Sequence, residues 1–512
     1  MQTSTSSPRR WWALAALALS VLVVGLDGTV LNVALPTLAR DLGAGTDDLQ
    51  WIIDAYLVVL AALMLPAGLL GDRLGRKKLL LTGLALFLGA SLAAAFAGGT
   101  AALIAARAAM GIGAAIILPV SMAILPSIFP PDERGRAIAI WTGGTALGLP
   151  LGPILGGWLL EHFWWGSVFL INVPVIGLAL VMATMLLPES KDPQGRRLDP
   201  LGVALAVAGL GGIVFGVIQA PADGWADPTV LATLIGGALA LGGFVTLQLR
   251  SRQPMVELRL FRQPIFVWGT VSAAFVSLTL VGLLFVTPQY LQVVLGNGAF
   301  GTGLRLVPLI GGLLVGGLAS ERLTKRLGVR TVVSAGMLVL AAGFALGAQT
   351  TTTGGYAEAA RWLTVVGLGI GLTLPPIMDA VLAAVPEEQA GAGSGLLQAL
   401  RQVGGALGVA TLGSLLSFAY ARDLDTSGLP AQAATAAEDS ITGAVAVAQR
   451  LGDQALLSSA QAAFIHGMNV VLVASAIGAV LGAILIAVFM PGRPAPTPAA
   501  SENGTHELSR TP

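Results

Sequence analysis

Apolar stretches of about twenty residues follow one another along nearly the whole chain, at 11–36, 50–70, 79–97, 101–125, 137–160, 166–187, 199–219, 228–248, 266–290, 304–320, 330–349, 361–385, 397–420 and 466–490. About twenty residues is the length a helix needs to cross a hydrocarbon layer ~30 Å thick. In lipid, each backbone N–H and C=O has to find its partner inside the segment, so such a stretch must be helical. Only 11% of the 512 residues are charged, against roughly a quarter in soluble domains. The expectation is an all-α membrane protein with fourteen transmembrane helices.

The loops orient those helices. GDRLGRKK, PPDERGRA, ESKDPQGRR, RSRQPMVELRLFR and ERLTKRLGVR are basic, and the loops between them are poor in Lys and Arg. By the positive-inside rule this places both termini in the cytoplasm and requires an even number of spans. The start, RRWWALAALALSVLVV, has the basic flank and apolar core of a signal sequence. Its apolar run is too long for one, so it reads as the first span, with Arg9 and Arg10 outside and Trp11 and Trp12 at the interface. Residues 421–465 form a long external loop with a short Ala-rich helix, and the Pro-, Ala-, Ser- and Thr-rich tail 491–512 reads as disordered and cytoplasmic.

Several chemistries are excluded. There are no cysteines, and His162, His466 and His506 lie far apart, so thiolate chemistry and an imidazole metal site are not expected. No GxxxxGK[ST] pattern is present, which removes a P-loop ATPase. The net charge of +1 offers nucleic acid no basic face. The partners expected are the lipid bilayer, small organic molecules and protons, the unit a monomer, and the cofactor none.

Helix four, GIGAAIILPVSMAILPSIFPPDERG, and helix twelve, GLGIGLTLPPIMDAVLAAVPEEQAG, align without a gap. Gly111, Gly113, Pro119, Pro130 and Gly135 then fall on Gly367, Gly369, Pro375, Pro386 and Gly391. GLLGDRLGRKK after helix two is echoed by GLASERLTKRLG after helix ten. Residues 11–187 and 266–490 therefore read as two six-helix halves, with two inserted helices at 199–248. Parallel halves around a midplane cavity are a transporter architecture that works by alternating access.

The motifs LDGTVLNVALP in helix one, GLLGDRLGRKK after helix two, LIAARAAMGIGAA in helix four, GGTALGLPLGPILGG in helix five and FLINVP at helix six resemble the major facilitator superfamily, and within it the fourteen-helix drug:proton antiporters. The likeness runs from about Arg10 to Pro491. It implies proton-driven export of amphipathic organic compounds such as antibiotics across the bacterial cytoplasmic membrane, and no enzymatic activity. WWGSVFLINVP departs from the family in lacking the arginine and second tryptophan of a WRW-type stretch. Two rival readings are a dedicated exporter of one endogenous metabolite or lipid, and a proton symporter.

The charges inside the spans are the expected coupling groups. At a rise of ~1.5 Å per residue, Asp27 lies roughly 24 Å from the cytoplasmic end of helix one, Arg107 roughly 9 Å below the outer end of helix four, and Asp54 about 6 Å into helix two. All three then share a depth, where Arg107 can offset the cost of a carboxylate. Leu363 occupies the position of Arg107 in the second half, so the repeat itself does not require the arginine. The alternatives are a hydrated vestibule for Asp27, a backbone-bonded structural role for Arg107, and the favourable helix N-terminus for Asp54.

Gly68, Asp72, Arg73, Gly75, Arg76 and Lys77 form a tight cytoplasmic turn; family resemblance makes it a latch between conformations, with the basic side chains reaching other helices. Gly144, Gly148, Gly152 and Gly156 recur every fourth residue and stripe one face of helix five, with Pro150 and Pro153 expected to bend it. In the family this stripe marks antiporters, and the resemblance implies a seal against proton leak. The expected substrate cavity draws on Asn32, Trp51, Tyr56, Trp141, Gln289, Tyr290 and Gln292, with few charges in the second half.

Overall fold

The computed structural model describes residues 7–42, 46–191, 199–251, 254, 258–352, 354–386 and 389–491. Among them are fourteen helices long and apolar enough to cross a membrane. In chain order these are α1 (Ser7–Leu42), α2 (Thr46–Leu74), α3 (Arg76–Ala95), α4 (Thr100–Ile128), α5 (Pro131–His162) and α6 (Ser167–Leu186). Next come α7 (Pro200–Asp223) and α8 (Pro228–Arg250). The remainder are α9 (Pro264–Val294), α10 (Phe300–Leu327), α11 (Val329–Gly347), α12 (Tyr356–Ala383), α13 (Ala390–Asp423) and α14 (Gln454–Phe489). An even number of crossings puts Ser7 and Phe489 on one face, the face that also carries the basic loops and is called here the basic face. The tail from residue 492 lies outside the described residues.

Three of the spanning helices begin at an aspartate cap. Asp199 and Asp227 accept hydrogen bonds from backbone N–H groups of α7 and α8, each followed by a proline in the first turn. Asp453 does the same for α14, accepting from Ala455 and Leu456. That cap corrects the expectation for residues 421–465. The segment holds two short helices, Ala431–Asp439 and Ile441–Leu451, and α14 then starts at Gln454 rather than 466. Its Ser, Gln and Ala residues lower the hydropathy of the first turns and hid them in the sequence. Helix α5 continues through Pro150 and Pro153 without interruption.

Packing follows the same scheme in both sets of six. Helix α1 packs on α5, α2 on α4, and α3 on α4 and α6; correspondingly α9 packs on α13, α10 on α12, and α11 on α12 and α14. The aligned glycines explain why. Gly111 lets α4 meet the α2 backbone at Tyr56, and Gly367 lets α12 meet α10 at Leu309. Gly113 faces Phe87 of α3, and Gly369 faces Leu340 of α11. Between the two sets, α13 packs on α2 and α4, and α5 on α10 and α12. Helix α7 lies against α2 and α13, and α8 packs on α7.

A buried ion cluster and the seam: the candidate functional site

Asp27 and Arg107 form an ion pair at 2.6 Å, with side chains 0% and 2% exposed. Each has further partners. Asn172 Nδ2, from α6, donates to Asp27 Oδ1 at 3.3 Å and lies 3.2 Å from Ser91 Oγ of α3. Arg107 Nε donates to the carbonyl of Ile52 on α2 at 3.1 Å, and its guanidinium sits 4.3 Å above the Tyr56 ring. Gly111, one helical turn beyond Arg107, admits the α2 backbone close enough for that bond. Five helices thus contribute to the cluster around one carboxylate. A buried charge pair has to recover a desolvation cost of several kcal/mol per ion, and these extra hydrogen bonds and the ring face help to do so.

Asp54 does not join the cluster. It lies two residues from Tyr56, which is about 200° around the helix, and so faces away from Arg107. Buried, it takes a hydrogen bond from Gln50, and Gln50 donates to Gln219 of α7. Its Oδ2 has no partner among the described residues. Equal depth placed three charges together in the sequence; helical azimuth separates the third.

The glycine stripe of α5 packs along α1 on either side of Asp27. Gly144 abuts Ala18, Gly148 the backbone of Gly25 and Leu26, Gly152 Thr29 and Val30, and Gly156 Val30. Pro153, on the same helix, is partly buried. Asp27 itself points from α1 toward α4 and α6, so the stripe holds α1 in place rather than touching the carboxylate.

At the basic face the turn after α2 reaches across to the second set of helices. Asp72 accepts from the backbone N–H of Gly391 and of Ala392, both at 2.8 Å, at the start of α13. A carboxylate is favoured there by the unpaired amides and the helix dipole. Gly68 and Gly391 meet backbone to backbone beside it. Gly75 turns the chain with φ 111, a conformation other residues rarely adopt. The basic residues divide. Arg76 bonds Asp72 in its own turn, at 2.8 Å and 3.0 Å, because Asp72 sits one turn away. Lys77 Nζ donates to the Thr184 carbonyl of α6 in the same set of helices, and Arg73 is exposed. The Asp72 carboxylate bridges the two sets. Ser394 Oγ adds a bond to the Pro119 carbonyl at 2.8 Å, and Gln398 Nε2 approaches Met122 Sδ at 3.7 Å. The seam is therefore closed on the basic face.

Six of the seven expected cavity residues have described side chains, and these do not converge. Tyr56 belongs to the ion cluster. Trp51, 44% exposed, stacks on Phe215 of α7. Trp141 is buried and donates to Ser121 Oγ of α4 at 3.0 Å. Gln289 bonds the Phe285 carbonyl of its own helix, Tyr290 is buried at a π turn ending α9, and Gln292 is exposed. The side chain of Asn32 lies outside the described residues. A small apolar recess sits instead between α5, α9 and α10, lined by Ala146, Pro150, Leu280, Leu284, Leu306 and Leu309 among others.

Sequence reasoning missed Asn172, Ser91 and Arg401. Asn172 stood in the FLINVP motif, a polar residue at the mouth of an apolar helix. Arg401 lies well inside a span, the signal that singled out Arg107.

The sequence profile of the Major Facilitator Superfamily matches residues 17–409. The multidrug efflux pump LfrA of Mycolicibacterium smegmatis is 37% identical over 95% of this chain and 97% of its own. The methyl viologen resistance protein SmvA of Salmonella typhimurium is 37% identical over 94% of this chain and 98% of its own. In fold, the proton:xylose symporter XylE superimposes with a TM-score of 0.61 at 14% identity, covering 95% of this chain and 97% of that structure.

Proposed function

Because the chain belongs to the major facilitator superfamily, a multi-pass membrane transporter rather than an enzyme, we propose that it exports amphipathic organic compounds, antibiotics among them, across the bacterial cytoplasmic membrane in exchange for protons. The basic face is the cytoplasmic one, with both termini there. The observation that carries the reading is the sealed pair of Asp27 and Arg107, joined by neutral partners that can hold either ion when the other changes.

Asp27 is the proton carrier in this reading. When it takes a proton from outside, its attraction to Arg107 falls away. The arginine retains the Ile52 carbonyl and the Tyr56 ring, while α1, held by the glycine stripe, moves with α5. The Asp72 latch at the start of α13 then opens the cytoplasmic seam, where substrate enters and the proton leaves. Each inward proton supplies ~2.3 kcal/mol per 100 mV and about 1.36 kcal/mol per pH unit. A tenfold substrate gradient costs about 1.4 kcal/mol, so one proton sustains export over tens-fold gradients. No cofactor is required.

The test is ethidium and puromycin uptake into everted vesicles. Uptake should appear on energisation and vanish with a protonophore. Uptake that instead rises with an inward proton gradient in right-side-out vesicles would establish symport, and transport of a single endogenous compound would replace the multidrug reading.

A further inference from the structure

Arg401 is a second intramembrane arginine, and its surroundings differ from those of Arg107. It lies eleven residues into α13, roughly 16 Å from the basic face. Its partners are all neutral. Nε donates to Ser277 Oγ of α9 at 3.1 Å, and Nη1 donates to Gln398 Oε1 at 2.8 Å and approaches Met378 Sδ of α12 at 3.8 Å. No described residue accepts from Nη2, no carboxylate pairs with it among the described residues, and the side chain is only partly buried. A guanidinium held in lipid depth by dipoles alone retains most of its charge for another anion.

The apolar recess begins directly beyond it. Ser277 is followed on the same face of α9 by Leu280 and Leu284, which line the recess. Thr142 of α5, whose Oγ1 lies 3.9 Å from Met378 Sδ, is followed on its face by Ala146 and Pro150, which line the recess from the other side. Both helices start at the basic face, so two independent registers put the recess about one to two turns above the arginine, on the side away from the closed seam.

We propose that Arg401 and this recess, narrow in the present conformation and widened as α5 and α9 part, form one binding site for amphiphilic organic anions, with the acidic group on Nη2 of Arg401 and the apolar body among Leu280, Leu284, Ala146 and Pro150. The proposal rests on the export reading and names a substrate class for it. Gln398 and Ser277 fix the guanidinium plane. Substrate leaves upward, away from the latch, once the acidic group is released.

Two fluorescent probes test it: anilinonaphthalene sulfonate, and phenylnaphthylamine, which lacks the sulfonate. Binding is titrated to the full-length protein in nanodiscs, and export of both probes and of ethidium is followed in everted vesicles. Arg401→Gln should weaken the sulfonate probe roughly tenfold to a hundredfold, as expected for a lost charge-assisted bond, and leave the neutral probe unchanged. Arg401→Lys should restore most of the loss. Leu284→Gln, which leaves the charge in place, should weaken both probes. Equal weakening of both probes by Arg401→Gln, or no weakening of either, overturns the proposal, since a purely structural arginine does not discriminate between them. If the wild type exports ethidium while Arg401→Gln fails to discriminate, only this inference falls. If the wild type moves no compound at all, the export reading falls with it.

Discussion

Asp27 on α1 and Arg107 on α4 face each other at 2.6 Å, eighty residues apart in sequence and both sealed from solvent. Removing either partner leaves the other as an uncompensated buried charge, at a cost of about 3–5 kcal/mol. Arg107→Leu should therefore lower the melting temperature of the detergent-purified protein markedly. The double variant Asp27→Asn, Arg107→Leu should recover much of that stability without recovering transport. A thermal-shift series on the four proteins of the cycle measures it; additive losses would mean that the pair is not coupled.

Asn172 donates to the same carboxylate. Its replacement by leucine should cost about 1.5–3 kcal/mol, the worth of a hydrogen bond to a charged group. Drug-dependent proton movement in vesicles should slow, while binding of the apolar probe stays intact. A variant with wild-type stability and flux would remove Asn172 from the coupling group.

The glycine stripe predicts a sharp positional contrast. A Cβ at Gly148 would collide with the backbone of α1 near Gly25, and one at Gly157, nine residues on, would meet nothing within 4 Å. Gly148→Ala should destabilise the protein and abolish transport. Gly157→Ala should be neutral or stabilising by up to about 1 kcal/mol. Equal behaviour of the two variants would contradict the packing described for α1 and α5.

The latch is open to a thiol assay because the chain has no native cysteine. Ser394 is buried in the seam, bonded to the Pro119 carbonyl. A cysteine at this position should react slowly with an aqueous maleimide. Adding Asp72→Asn, which weakens the carboxylate's hold on the start of α13, should speed that reaction severalfold. Unchanged labelling would mean that Asp72 does not govern opening of the basic face.

Hydropathy made all fourteen helices legible, since a lipid-spanning helix is set by the length and composition of its own segment. The aligned glycines of α4 and α12 were also legible, because close helix approach needs small residues at fixed spacing. Depth was readable along each helix, which is why Asp27 and Arg107 could be paired. Azimuth was not: Asp54 has the right depth and the wrong face, a difference set by how α2 rolls against α4 and α7. Arg76 pairs with Asp72 one turn away, a contact that the spacing of the turn allows. The reach of Asp72 to Gly391 depends on how the two sets of helices meet, which no local pattern encodes. Asn172 and Arg401 were visible as polar residues in apolar runs, yet their partners lie on helices far away in sequence.

The central claim is that Asp27 carries the transported proton. The direct measurement is proton flux in everted vesicles, comparing the wild type with Asp27→Asn at matched expression and with substrate binding measured in parallel. The readout is collapse of a preformed pH gradient on adding each compound of a panel. Collapse in the wild type and none in Asp27→Asn, with binding retained, is the expected result. Equal collapse in both would contradict the account and turn attention to Asp54, the buried carboxylate that faces α7.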